Sequence, residues 1–222
     1  TSEESIWHYG GLYNWIPTAT VLNITSDSAQ DAAAGTGAYT VTLEGLDENW
    51  ESLTEEVTLT GQTIALTIGT FIRVHRVYVH ICGTNDSNTG NLYVFTGTAT
   101  AGVPDVSTTV YATVSADHGQ SLMCVYTVPT GFTGFLMGGY ATTAANKTVD
   151  IEFFQRLYGE GWRITQEFSL TDSTYSQKYY VPPVLPAKTD IQVHAIVDTG
   201  SARVSAGFDI VLVNNDVLRE SV

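Results

Sequence analysis

Apolar and polar residues alternate along much of this chain with a period of two. Tyr39, Val41 and Leu43 interleave with Thr40, Thr42 and Glu44, and Val57 and Leu59 with Thr58 and Thr60. Ile64, Leu66 and Ile68 continue the alternation, as do Val149, Ile151 and Phe153, and later Ile191, Val193, Ala195 and Val197. A period of two places one set of side chains on each face of a strand. Between Val74 and Val77 the apolar phase slips by one, as it does where a β-bulge inserts an extra residue. Turn sequences at 45–49, 61–62, 83–91, 116–119, 159–161 and 199–201 divide the pattern. With the shorter breaks between them, the chain divides into a dozen or so strands with turns at about 8–12-residue spacing, that of an all-β sandwich or barrel. The expected fold is therefore all-β, a β-sandwich over 17–222 as one domain. A jelly roll is the preferred topology because it packs two sheets and shields strand edges; an immunoglobulin-like sandwich is the alternative. The composition shifts at 99–109, which reads either as a boundary or as a long crossover.

Residues 6–16 (IWHYGGLYNWI) break this pattern, with two tryptophans and two tyrosines around a Gly-Gly pair. The expectation is an extended N-terminal arm, residues 1–16, with Trp7, Tyr9, Tyr13 and Trp15 as the partner-binding residues. Aromatic rings carry much of the energy of protein interfaces. The same rings also suit a first core strand of their own chain, or stacking on a sugar.

Composition supports strands and narrows the partners. The chain holds 32 threonines and only three lysines, and β-branched residues favour a pleated surface. The formal net charge is −14. Phosphate binding needs clustered Lys and Arg, so neither nucleic acid nor an anionic membrane is an expected partner. No apolar run approaches the ~20 residues that span a bilayer. The first residues, TSEES, carry neither the basic nor the apolar region of a signal peptide, and the expectation is assembly in a reducing cytoplasm. Cys82 and Cys124 then read as small core residues, and the glycosylation sequons at Asn23 and Asn146 carry little meaning.

No catalytic constellation stands out, and the expectation is a protein that is not an enzyme and takes no metal or cofactor. Glu44, Asp47, Glu48, Glu51, Glu55 and Glu56 crowd about one turn, the mark of a solvated hairpin rather than of two carboxylates facing across a cleft. The 85–91 loop (NDSNTGN) is rich in oxygen ligands, but only Asp86 is charged, which suits a plain turn better than calcium. His75 and His80 fall on one strand, five positions apart, and face opposite sides unless a bulge intervenes. His8, His118 and His194 form no metal-ligand spacing. A Gly-x-Ser-x-Gly elbow and a phosphate-binding Gly-rich loop are both missing from the sequence.

Gly-Thr-Gly-Ala-x-Thr-Val at 35–41, Gly-Leu-Asp at 45–47, Glu-x-Val-x-Leu-x-Gly at 55–61 and Phe-x-Arg-Val at 71–74, with AGFDIVLVNND near the C-terminus, resemble virion structural proteins of marine tailed bacteriophages. The resemblance covers most of the chain, most firmly 33–83, and its motifs are structural. It implies a capsid decoration (cement) protein that binds and stabilises the assembled head shell. Its partners would be the major capsid protein and copies of itself, as a homotrimer, in the virion. A tail or fibre component adhering to host surface glycans is the alternative.

Overall fold

The computed structural model describes residues 2–144 and 147–219; the sequon at Asn146 lies outside them. The chain is nearly all β. In order the strands are β1 (Glu3–Ser5), β2 (Asn23–Ser26), β3 (Ala38–Leu46), β4 (Ser52–Thr58), β5 (Ala65–Leu66), β6 (Arg73–Cys82), β7 (Leu92–Phe95), β8 (Ala99–Thr100), β9 (Val103–Pro104) and β10 (Val110–Val114). They continue as β11 (Val125–Thr127), β12 (Phe132–Thr143), β13 (Thr148–Arg156), β14 (Arg163–Thr171), β15 (Thr174–Lys178), β16 (Val184–Leu185), β17 (Asp190–Val197) and β18 (Val204–Asn214). A single turn of 3-10 helix at Ser107–Thr109 and a five-residue α-helix at Asn215–Arg219 complete the described elements.

Where the sequence pattern suggested one domain over 17–222, the chain gathers into two compact units. The middle unit comprises Trp7–Tyr9 and Tyr13–Met123; the terminal unit comprises the described residues of Thr1–Ile6, Gly10–Leu12 and Cys124–Val222. The shift at 99–109 is no boundary: it holds the β8–β9 ribbon and the 3-10 turn.

In the middle unit, one sheet runs β10-β7-β2-β5 and another β4-β3-β6. Their inner faces share one core of Leu22, Ile24, Val41, Leu43, Val57, Val74, Val77, Leu92, Val94 and Val114. The alternation that predicted β3 and β4 holds, with Val41 and Leu43 fully buried and Val57 and Leu59 inward. The phase slip is a bulge: Glu44 pairs with Arg76 and Gly45 with Val74, leaving His75 as the extra residue. A second bulge leaves His80 unopposed, because Thr40 pairs with Ile81 and Val41 with Val79.

The alternation at Ile64, Leu66 and Ile68 does not make a long strand. β5 ends after two residues, and Leu66 and Ile68 are 58% and 93% exposed. The Glu55 carboxylate accepts hydrogen bonds from the Ile68 and Gly69 amides at 2.6 and 2.9 Å. That clamp turns the backbone out of the sheet and carries Ile68 into solvent.

In the terminal unit, one sheet runs β1-β17-β13-β14, with β11 also on β17; the other centres on β12, flanked by β15 and β16 on one side and β18 on the other. Val149, Ile151, Val193, Leu170 and Ala141 form its tight core. Phe153, Phe168, Tyr175 and Phe208 pack against that core but stay only partly buried.

Residues 1–16 do not form a free arm. Residues 3–5 are edge strand β1, paired antiparallel to β17. Trp7–Tyr9 and the chain from Tyr13 onward belong to the middle unit.

Candidate functional site

The four aromatic residues expected to bind a partner form a chain of ring contacts inside the middle unit. Trp7 lies 5.4 Å from Tyr9 and meets Tyr13 edge-on at 5.1 Å; Tyr13 in turn meets Trp15 edge-on at 5.1 Å. Tyr9 meets the Tyr93 ring at 6.2 Å. Trp7 and Tyr9 pack on the small cluster of Tyr93, Phe95 and Val110. Edge-to-face spacings of this kind are favourable for aromatic pairs. Beyond Trp15 the chain of contacts ends in a cation: the Arg73 guanidinium lies 5.0 Å from the Trp15 ring and 4.7 Å from the Trp50 ring. Arg73 is buried and donates to the Ile16 and Ile72 carbonyls. Tyr13 is only 6% exposed, so its ring is used up within its own chain, while Trp7, Tyr9 and Trp15 remain half-buried. Sequence reasoning missed Arg73; its place between two tryptophans distant in sequence has no local signal.

The oxygen-rich 85–91 loop is organised by a residue outside it. The Asp31 carboxylate, fully buried, accepts hydrogen bonds from the Thr89 and Ala38 amides through Oδ1 and from the Gly90 amide through Oδ2, each at 2.8 Å. The Ser26 hydroxyl donates to Oδ2 at 2.5 Å. A Cβ on Gly37 would stand 2.1 Å from Asp31 Oδ1, so the second glycine of Gly-Thr-Gly is the space into which this carboxylate fits. Asp86, the one charged residue of the loop, points into solvent at φ 55°. The motif is a buried anion holding two loops and a strand together.

Other chemistry-bearing residues are dispersed. Among the described residues, no three His, Cys, Asp or Glu side chains are placed to hold a metal ion. His80 pairs with Glu56 at 3.5 Å on the surface. His8 and His118 meet edge-on at 4.9 Å, and burial, followed by the His118 charge, holds His8 below its ordinary pKa. His194 is buried with Nδ1 on Glu3. Both cysteines are free thiols, and burial pushes that of Cys124 far up. The acidic residues of the 44–56 hairpin serve local turns: Asp47 Oδ1 accepts from the Asn49 and Glu51 amides at 2.8 and 2.9 Å.

The most unusual surface is the outer face of the β12 sheet in the terminal unit. Phe135 on β12 pairs with Val184 on β16 and with Val211 on β18, so the three side chains form one row across the sheet. Their strand neighbours Leu185 and Leu212 point the other way, into the core. Val184 is 55% exposed and Val211 49%. Val213 extends the row, and Met137 and Tyr140 of β12 are exposed beside it. The next loop adds Tyr180 and Val181, both almost wholly exposed. Single exposed apolar residues are ordinary, but a contiguous patch marks an interaction surface. The sequence carries its signal: β18 reads Asp-Ile-Val-Leu-Val, apolar on both faces where a half-solvated strand alternates.

No protein-family model and no curated protein matches this chain.

Proposed function

We propose that this protein is a structural component of a bacteriophage virion, a decoration protein that binds the assembled capsid shell. The observation that carries the proposal is the outward apolar row Val184–Phe135–Val211, an exposed face of the kind that supports contact with another protein. The row supplies what the N-terminal aromatic residues, folded onto their own chain, do not. Under this reading the major capsid protein covers the row, and sister copies meet as a homotrimer around it. The net charge of −14 keeps the remaining surface dispersed. The jelly-roll expectation narrows to the pair of facing sheets within each unit. The resemblance to phage virion proteins supports the same role, since Gly-Thr-Gly serves the Asp31 anchor and so belongs to architecture, not catalysis.

The test is binding of the purified protein to undecorated capsid shells, with its copy number in virions counted by mass spectrometry. Copies in the hundreds per particle, and loss of shell binding in a folded Val211→Asp variant, are expected. A few copies per particle would move the protein to the tail or fibre, and undiminished binding by Val211→Asp would remove the apolar row from the argument.

A further inference from the structure

A cleft opens between the two sheets of the terminal unit, and its construction points to a ligand. Two bulges border it. On β14, Phe153 pairs with Gln166 and Phe154 with Ile164, so Thr165 is the extra residue. On β12, Leu136 pairs with Ile210 and Gly138 with Asp209, so Met137 is extra. Bulges splay strands locally and occur preferentially beside binding sites. Here they leave about 180 Å3 of open space, with buried Leu185 and Ile191 at its floor and exposed Thr165 and Pro183 at its mouth.

The walls are apolar and aromatic: Leu136, Phe153, Phe208 and the ring of Tyr179. Among the described residues none that lines the cleft is charged, in a chain whose net charge is −14. A neutral occupant is therefore selected, since a charged one would be desolvated there without a counter-charge. Polar side chains are the minority of the lining, and two of them, Gln166 and Tyr179, bond each other. The Gln166 Nε2 donates to the Tyr179 hydroxyl at 2.5 Å and to Gln177 Oε1 at 3.4 Å. Both bonds use its nitrogen, and its amide oxygen is left to accept. The side-chain amide of Gln155 lines the same space and makes no hydrogen bond to another described residue. An apolar cavity of about 150 Å3 is enough to hold a benzene molecule. A sugar of similar size would bring hydroxyls on every side against walls that are mainly apolar, and each unpaired hydroxyl is costly.

We infer that the cleft binds a neutral, single-ring aromatic molecule carrying a hydroxyl, a phenol-class ligand, with the ring against Phe153 and Phe208 and the hydroxyl donating to Gln166 Oε1. This site is separate from the outward apolar row and goes beyond the decoration role.

The experiment titrates the full chain with p-cresol, toluene and methyl glucoside, followed by amide NMR shifts and calorimetry. p-Cresol should saturate, with shifts centred on Phe153, Gln155, Gln166 and Tyr179, and toluene should bind about threefold to tenfold more weakly, the value of one hydrogen bond. Gln166→Leu should erase that preference and keep toluene binding; Gln155→Leu, which removes the other side-chain amide lining the cleft, is the second variant, and loss of the preference there instead of in Gln166→Leu would overturn the assignment to Gln166. Absence of saturable shifts with either aromatic, or tighter binding of methyl glucoside than of p-cresol, would overturn the assignment, as would a p-cresol preference that survives in Gln166→Leu.

Discussion

Replacing Asp31 with Asn tests whether one buried carboxylate holds the loops of the middle unit. The change keeps shape and removes the charge. Oδ1 can still accept from the Ala38 and Thr89 amides, but both bonds fall from charge-assisted to neutral. The new amide nitrogen replaces Oδ2, where the Gly90 amide also donates, and two N–H groups then face each other. The Ser26 hydroxyl can rotate to accept instead. One buried donor left unsatisfied costs about 1–3 kcal/mol, and the two weakened bonds add about 1 kcal/mol each. The sum, about 3–5 kcal/mol, is a large share of the ~5–15 kcal/mol that stabilises a typical domain. Urea unfolding followed by tryptophan fluorescence in a Trp162→Phe background reads the middle unit, because Trp7, Trp15 and Trp50 lie there and Trp162 does not. The melting temperature should drop by about 10–20 °C. Gly37→Ala should fall by a similar amount, because its Cβ would collide with the same carboxylate. The control is Asp86→Asn, an exposed site at positive φ that asparagine tolerates, expected within about 0.5 kcal/mol of wild type. If Asp31→Asn unfolds at the same urea concentration as Asp86→Asn, the anchor argument is wrong.

Three further outcomes are expected. In the terminal unit the Asp190 side chain, 4% exposed, accepts from Arg156 at 2.6 Å and from Thr127 at 2.5 Å, so Asp190→Ala should cost about 3–5 kcal/mol in chemical denaturation by stranding a partly buried cation; a loss below about 1 kcal/mol would contradict it. Burial, then the charges of Glu3 and Glu167, hold the Glu152 carboxyl above its ordinary range. Its contribution to stability is therefore full below the unfolded carboxylate pKa and is lost as pH rises through the folded one, so Glu152→Gln should melt higher than wild type at pH 7 and equal to it in acid; the reverse order rejects the reading. A thiol reagent should label Cys82, which is partly exposed, and leave Cys124 untouched until the protein unfolds, with mass spectrometry of native and unfolded samples deciding.

Much of the strand pattern was legible because it depends on neighbours in sequence. The period of two located β3, β4, β13 and β17, and the slip after Val74 announced the bulge at His75. Where the reading failed, a distant partner decided. The Glu55 carboxylate, more than ten residues upstream, turns the backbone at Ile68 out of an alternation that is intact on paper. The Asp31-Ala-Ala-Ala segment gives no sign that its aspartate meets the amides of Thr89 and Gly90. The division into two units was equally hidden, since β11 starts directly after the boundary at Met123 with no linker composition to mark it.

The same distinction explains why the two candidate contact surfaces differ in legibility. An aromatic cluster such as 6–16 is conspicuous in sequence, yet conspicuous apolar residues are the ones a fold has most reason to bury, and Tyr13 and Ile16 are buried. The outward row on the β12 sheet arises instead from register: Phe135, Val184 and Val211 lie on three strands widely separated in sequence, and only pairing places them in line. The cleft on the other side of that sheet has the same origin, in bulges at Met137 and Thr165 on strands that are not neighbours. A strand that is apolar on one face has a single demand, which its own core satisfies. β18 is apolar on both, with Ile210 and Leu212 inward and Val211 and Val213 outward. Within the described chain β12 occupies the paired edge and the core the inner face, so the outward pair is left for the partner that the proposed decoration role supplies. That surplus is what supports the proposal that this protein is one part of a larger assembly.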